Sequence, residues 1–249
     1  DTSQTDTLAK QGIENQEISK KKTTVNYSQI LGNNSIVFAA ENHENTAIRQ
    51  HLREQAGALK NIGITHFTLE FESSLNDKLA LLNSGQEVDL SPEFKLFPDY
   101  ELMIRAMARE GIKIVAVDIN YQDHPRRNRN GRETEMFNNV AKILTDEPRA
   151  KIFSLFGTFH TVTQFNPEQV PSVRKRFLDL KIPTTSVFFH GGDRAPDKSL
   201  IFGPTKFDKQ IITEGLDQQE FMLNNSDKSI PFDREADWVV HLPTRSVLK

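Results

Sequence analysis

Short apolar runs punctuate the chain at 36–40, 67–71, 113–119, 151–156, 185–189 and 238–242. Between several of them the apolar positions recur every three or four residues instead. Ile48, Leu52, Ala56 and Leu59 form one stripe, Met103, Ala106 and Met107 a second, and Met136, Val140, Ile143 and Leu144 a third. Short continuous apolar runs mark strands covered on both sides, and stripes mark helices that turn one face to a core. Their alternation predicts an α/β fold, a single mainly parallel sheet covered by helices on both faces. Residues 1–24 lack such periodicity and contain Lys20-Lys21-Lys22 near their end, which reads as a polar leader or linker. Residues 25–249 then form one α/β domain.

In open parallel sheets, ligands gather beyond the carboxyl ends of the strands. Titratable residues stand at several of those ends. Ala40-Glu41-Asn42-His43 follows the first run, and alternate residues of an extended chain point the same way, so Glu41 and His43 face one crevice. In the second run Phe67, Leu69 and Phe71 share one side, opposite Thr68, Glu70 and Glu72. A carboxylate among apolar residues is costly to bury unpaired, so Glu70 calls for a His, an Arg or a metal, while Glu72 sits closer to solvent. After the fourth run comes Gly157-Thr158-Phe159-His160, where glycine lets the chain turn sharply and leaves His160 at the crevice.

Arg132 lies one turn before Met136, where a helix begins, and a cation is disfavoured beside the positive end of a helix. Its placement calls for an anionic partner such as Glu70, or for a charge that develops during a reaction. His190, before Gly191-Gly192, also ends a strand and lines the crevice. His51 reads as a surface or interhelical residue, His66 as structural, and His124 as a substrate or partner contact in an arginine-rich loop. The irregular stretches 84–98 and 121–131 are longer than ordinary connections and adjoin strand ends, which predicts that they border the mouth of a site.

Composition removes several classes of function. The 31 basic and 34 acidic residues leave a net charge of -3, which excludes a nucleic-acid footprint and a polybasic membrane surface. Small molecules and protein substrates remain. Without cysteine there is no disulfide, thiolate metal site or cysteine nucleophile. No apolar stretch reaches the ~18 residues of a membrane span. A chain opening on Asp1 fits a mature protein exported from a bacterium, or a domain cut from a longer one with a preceding delivery domain.

Taken in order, E-x-H after the first strand, L-E-F at the end of the next, R-x-x-x-M-x-x-N-V opening a helix and G-x-x-H after the following strand resemble the erythromycin esterase, ChaN-like and TIKI (TraB) superfamily. The resemblance runs from about Ile36 to Thr161, and 236–243 resembles the closing strand. It implies catalytic roles for Glu41, His43, Glu70 and His160, and a charge-stabilising role for Arg132. It also implies hydrolysis of lactones, esters or peptide bonds, the last as in the Ras/Rap-specific endopeptidase module of bacterial toxins. Its ChaN branch implies haem binding instead, and a non-catalytic interaction domain of the same fold is a further alternative.

The residues themselves favour water activated by a His–carboxylate pair, since imidazole titrates near neutrality and an adjacent carboxylate holds its tautomer. No G-x-S-x-G elbow offers a serine nucleophile. No cofactor is required for this chemistry, although Glu41, His43, Glu70 and His160 are also sufficient ligands for zinc, manganese or iron. Both histidines are expected at the crevice, where truncation spares the fold.

Overall fold

The computed structural model describes residues 25–43, 45–120, 122, 128–163, 170–191, 201–203, 222–225, 228–231 and 236–242. In chain order, α1 (Tyr27–Leu31) leads into β1 (Ile36–Glu41), followed by α2 (Thr46–Glu54) and α3 (Ala56–Asn61). Next come β2 (His66–Glu72), α4 (Asn76–Asn83), α5 (Pro98–Arg109), β3 (Lys113–Asp118), α6 (Arg129–Asp146) and β4 (Ile152–Gly157). The rest comprises α7 (Val173–Asp179), β5 (Thr184–Gly191), β6 (Ile201–Gly203), β7 (Met222–Asn225), β8 (Lys228–Pro231) and β9 (Trp238–Leu242).

The six strands anticipated from the apolar runs form one all-parallel sheet in the order β3-β2-β4-β1-β5-β9. A short antiparallel sheet, β6-β7-β8, accompanies it. Local chemistry sets the helix starts: Asn45, Asn128 and Ser172 each accept a backbone N–H from the first turn of α2, α6 and α7, and Pro98 opens α5 where a missing N–H costs nothing. The stripe from Ile48 to Leu59 is carried by two helices, α2 and α3, interrupted at Gln55. Among the described residues no helix is long and apolar enough to cross a membrane.

Side-chain alternation divides the interior in two. Val37, Ala39, Phe67, Leu69, Phe153 and Leu155 pack with α1 through α5 on one face. Ile36, Phe38, Val117, Ile152 and Phe156 pack with α6 and α7 on the other. The connections from β1 to β2 and from β2 to β3 cross the first face. Those from β3 to β4 and from β4 to β5 cross the second, as a uniform crossover hand requires when the strand order reverses. β4 is thereby inserted between β1 and β2 while its following connection leaves on the opposite face, which opens a crevice at their shared C-terminal edge.

An unpaired strand edge attracts other chains, and β3 lies at one edge of this sheet. Here α4 closes it. Asn76 exchanges two hydrogen bonds with the backbone of Ala116, at 2.8 and 2.9 Å, and Asn83 does the same with Ile114. Replacing both amides by alanine is expected to cost about 1–3 kcal/mol per unmatched pair. Amide exchange at Ile114 and Ala116 should accelerate more than at Phe153, in the sheet centre.

Candidate active site

The strand-end residues do meet. β1, β2 and β4 are neighbours, and Glu41, His43, Glu70, Gly157 and His160 lie at one end of them. They do so in two layers. Glu41, by its register with Val37 and Ala39, turns to the face of α2 and α5, where one oxygen accepts from Arg49 Nη1 at 3.0 Å and the other from the Tyr100 hydroxyl. Arg49 is fully buried, lies 4.3 Å above the Tyr100 ring, pairs with Asp99 and donates to the His43 carbonyl. A buried guanidinium is tolerable only with such partners.

Glu70 turns to the opposite face. Between Leu69 and Glu72 the register of β2 on β3 shifts by one residue, a bulge of the kind that re-aims side chains. Past the last β2–β4 pair, Glu70 reaches β4 directly: Oε2 accepts from Gly157 N at 2.7 Å, and Oε1 from His160 Nε2 at 3.1 Å and Arg132 Nη2 at 2.5 Å. Phe67, Leu69 and Phe71 line the other side, and Thr68 bonds Ser154, as the alternation required. Burial alone would raise the pKa of Glu70, but the charges of His160, His43 and Arg132 outweigh it and hold the carboxyl well below its ordinary range.

His43 joins the two layers. Its Nδ1 lies 3.2 Å from both Glu41 Oε1 and the Tyr100 hydroxyl, and its Nε2 lies 3.6 Å from Glu70 Oε2. The hydrogen bond to Glu41 raises its pKa, against the opposing effect of burial. With 48% of its side chain exposed, it is the accessible imidazole of the cluster.

His160 is held differently. Only 7% of its side chain is exposed, in the 3-10 turn Thr158–His160, between Glu70 and the fully buried Glu133. Its Nδ1 and Glu133 Oε1 approach to 2.8 Å, as an ion pair off the angle of a well-formed hydrogen bond. Burial pulls its pKa down, yet the attraction of Glu70 and Glu133 prevails and pushes it up to about 9. Truncating His160 is therefore expected to cost stability instead of sparing the fold, because the side chain is enclosed between two buried carboxylates.

Arg132 has its anionic partner in Glu70, and a second in Asp118, which its Nε and Nη2 grip at 2.9 and 2.6 Å. α6 begins at Arg129, so the expected loop 121–131 is shorter than it looked. Of that stretch, residues 121 and 123–127, including His124, lie outside the described residues. Asn128 and Arg129 do border the site: a cavity of about 460 Å³ is lined by His43, Glu70, Asn128, Arg129, Arg132, Gly157, Phe159 and His160. No residue of 84–98 lines this cavity, although Phe94 and Phe97 pack near Phe71 and Tyr100 beside it. His190 ends β5 as expected, but its side chain lies outside the described residues. His51 and His66 are structural: His51 bonds Tyr27 at 2.9 Å, and His66 is buried beside Thr65.

Gly157 has a different reason from the one inferred. Its φ of -54° suits any residue. A Cβ there would stand 2.9 Å from His43 Nε2 and 3.1 Å from Glu70 Oε2, so glycine is needed for close approach. Sequence reading missed Arg49, Tyr100, Asp118 and Glu133. Asp118 carried a signal, a carboxylate ending the third apolar run, whereas Glu133 looked like an ordinary first-turn acid of a helix.

No family model and no curated protein matches the chain. Among solved structures it is similar to a Bacillus cereus protein, with TM-score 0.55 and 10% identity over 89% of this chain and 91% of that one. It is also similar to the erythromycin esterase EreC in its open conformation, with TM-score 0.51 and 11% identity over 82% of this chain and 78% of that one. A third similarity is to RRSP, a MARTX toxin effector domain from Vibrio vulnificus, with TM-score 0.44 and 20% identity; the match covers 68% of this chain and 37% of that one. The chain shares its fold with the Bacillus cereus protein and with the erythromycin esterase EreC.

Two outcomes follow from this geometry. Gly157→Ala should displace the His43 ring from its place between Glu41 and Glu70, and an NMR titration should find its pKa lowered toward the ordinary 6.5. The raised pKa of His160 contributes stability that is complete below its unfolded value near 6.5 and is lost as pH rises through about 9. Urea unfolding of the parent chain should thus weaken between those two values, and His160→Gln, less stable throughout, should lose most of that slope.

Proposed function

We propose that the chain is a hydrolase in which His43, oriented by Glu41, activates water against an ester, lactone or peptide bond. The observation that carries this reading is the position of His43. Its Nδ1 is turned to a buried carboxylate, its Nε2 is on the side of Glu70 and Gly157, and these three residues line a cavity of about 460 Å³, a size that suits a small substrate or part of a larger one. With Nδ1–H donated to Glu41, the lone pair of Nε2 is left to accept a proton from water as the hydroxyl oxygen attacks the acyl carbon. The imidazolium so formed is stabilised by Glu41 and Glu70, and can return the proton to the leaving oxygen or nitrogen as the acyl bond breaks.

His160 serves as a fixed cation. Together with Arg132 it lends positive potential to the cavity where the carbonyl oxygen becomes negative. Resemblance to an esterase fold makes acyl transfer a natural reaction class, but the proposal stands on the residues.

The same cluster is a poor host for a divalent metal. Glu41 already faces Arg49 and Tyr100, Glu70 already faces Arg132, His160 and Gly157, and both nitrogens of His160 face carboxylates. A dication placed there would meet two guanidinium groups and an imidazolium. Water activation is accordingly assigned to imidazole, without a metal.

A panel of esters, lactones and peptides, assayed with and without chelator, tests the reading. His43→Ala should lower kcat/KM at least about a hundredfold with the unfolding midpoint unchanged, since general base assistance is worth roughly 10²–10⁴. Glu72→Ala should keep most activity. In the parent chain kcat/KM should rise with pH through the raised pKa of His43, and Glu41→Gln should move that inflection to lower pH. A His43→Ala variant with parental rates on the same substrate removes the imidazole from the reaction.

A further inference from the structure

The cavity is asymmetric in charge. Arg129, Arg132 and His160 line it, and each has an acidic counterpart. Two of those counterparts, Asp118 and Glu133, are buried and do not line the cavity. The lining carboxylate, Glu70, has both oxygens directed to donors of the protein. Cations therefore face the space while their compensating charges stand behind them, and the potential inside is positive because the nearer charges dominate.

Arg129 is the cation least committed to the network. It is the first residue of α6, where the positive end of an 18-residue helix adds to its own charge. One terminal nitrogen donates to the Phe159 carbonyl at 3.3 Å and lies 3.5 Å from Glu133, and the guanidinium carbon sits 5.4 Å from the centre of the Phe159 ring. Its buried Nε–H has no partner among the described residues. Arg132, by contrast, is gripped by two carboxylates.

We infer that the cavity selects substrates bearing a carboxylate beside the scissile bond, and that Arg129 sets this preference. The scissile bond rests on the hydrolase reading; the anion site does not. The substrate carboxylate would approach the guanidinium and the start of α6, leaving its acyl carbon toward His43, which lines the same cavity.

Two measurements separate the readings. Binding of glutarate and of neutral glutaramide is followed by NMR titration, and turnover is compared between a glutarate monoester and the corresponding ester amide. Glutarate should bind at least about tenfold more tightly, the size of one hydrogen-bonded charge pair, and its monoester should show a similar advantage in kcat/KM, chiefly through KM. In R129Q both ratios should collapse toward one, and R129K should recover part of them. Added salt should shrink the preference in the parent chain. Equal affinity for the two ligands, or a folded R129Q with the parental ratio, overturns the inference. Should R129Q fail to fold, a folded R129K that retains no preference overturns it as well. Discrimination in binding without turnover of either ester, or of any ester, lactone or peptide in the panel, leaves the anion site standing and removes the hydrolase reading; turnover without discrimination does the reverse.

Discussion

One buried carboxylate organises this end of the molecule. Glu70 stands where β2 runs past its last pairing with β4, and an ionised group there is tolerable only if its lost hydration is replaced. The replacement comes from the backbone of β4 at Gly157, from the turn after β4 at His160 and from α6 at Arg132. Each of these brings a requirement of its own. Arg132 is matched by Asp118 at the end of β3, and His160 by Glu133, whose other oxygen accepts the first N–H of α7. Compensation of a single charge thus ties β2, β3, β4, α6 and α7 to one position.

A second buried pair, Glu41 with Arg49, repeats the logic on the other face of the sheet, with Tyr100 and Asp99 completing it. The two systems come together through His43, whose ring nitrogens face a carboxylate from each. Neighbouring groups on the two sides are enclosed, whereas His43 is half exposed. The cluster therefore combines a rigid set of matched charges with one imidazole that water and solutes can reach. His160 shows the contrast: the same chemical group, fixed between two carboxylates, is kept in its charged form well above neutrality. Environment separates two identical side chains into a titrating group and a permanent cation.

The same edge carries a steric constraint. Gly157 donates to Glu70 and simultaneously leaves room for the His43 ring, so β4 contributes a hydrogen bond and an absence of side chain at one residue. This is feasible only because β4 lies between β1 and β2. Were β1 and β2 adjacent, His43 and Glu70 could still meet, but Gly157 would not stand against both of them, nor His160 follow it onto Glu70.

Local pattern was enough to place all six strands of the main sheet, because a strand buried on both faces needs an unbroken apolar run wherever it sits. It was also enough to put Glu41, His43, Glu70 and His160 at strand ends, since those positions follow from the runs themselves. The demand of Glu70 and Arg132 for opposite charges was legible from desolvation and the helix dipole. Pairings were not. Arg49 sits beside an apolar stripe, Tyr100 looks like core, and Glu133 resembles a solvated acid; their roles appear only when α2, α5 and α6 are packed on the sheet. Gly157 was noticed for the wrong reason, because its constraint comes from residues 87 and more than 100 positions away. Hydrophobic period reports how one segment divides its surface between core and water. Strand order and the meeting of distant charges depend on which segments bury one another, and that is settled by the tertiary structure as a whole.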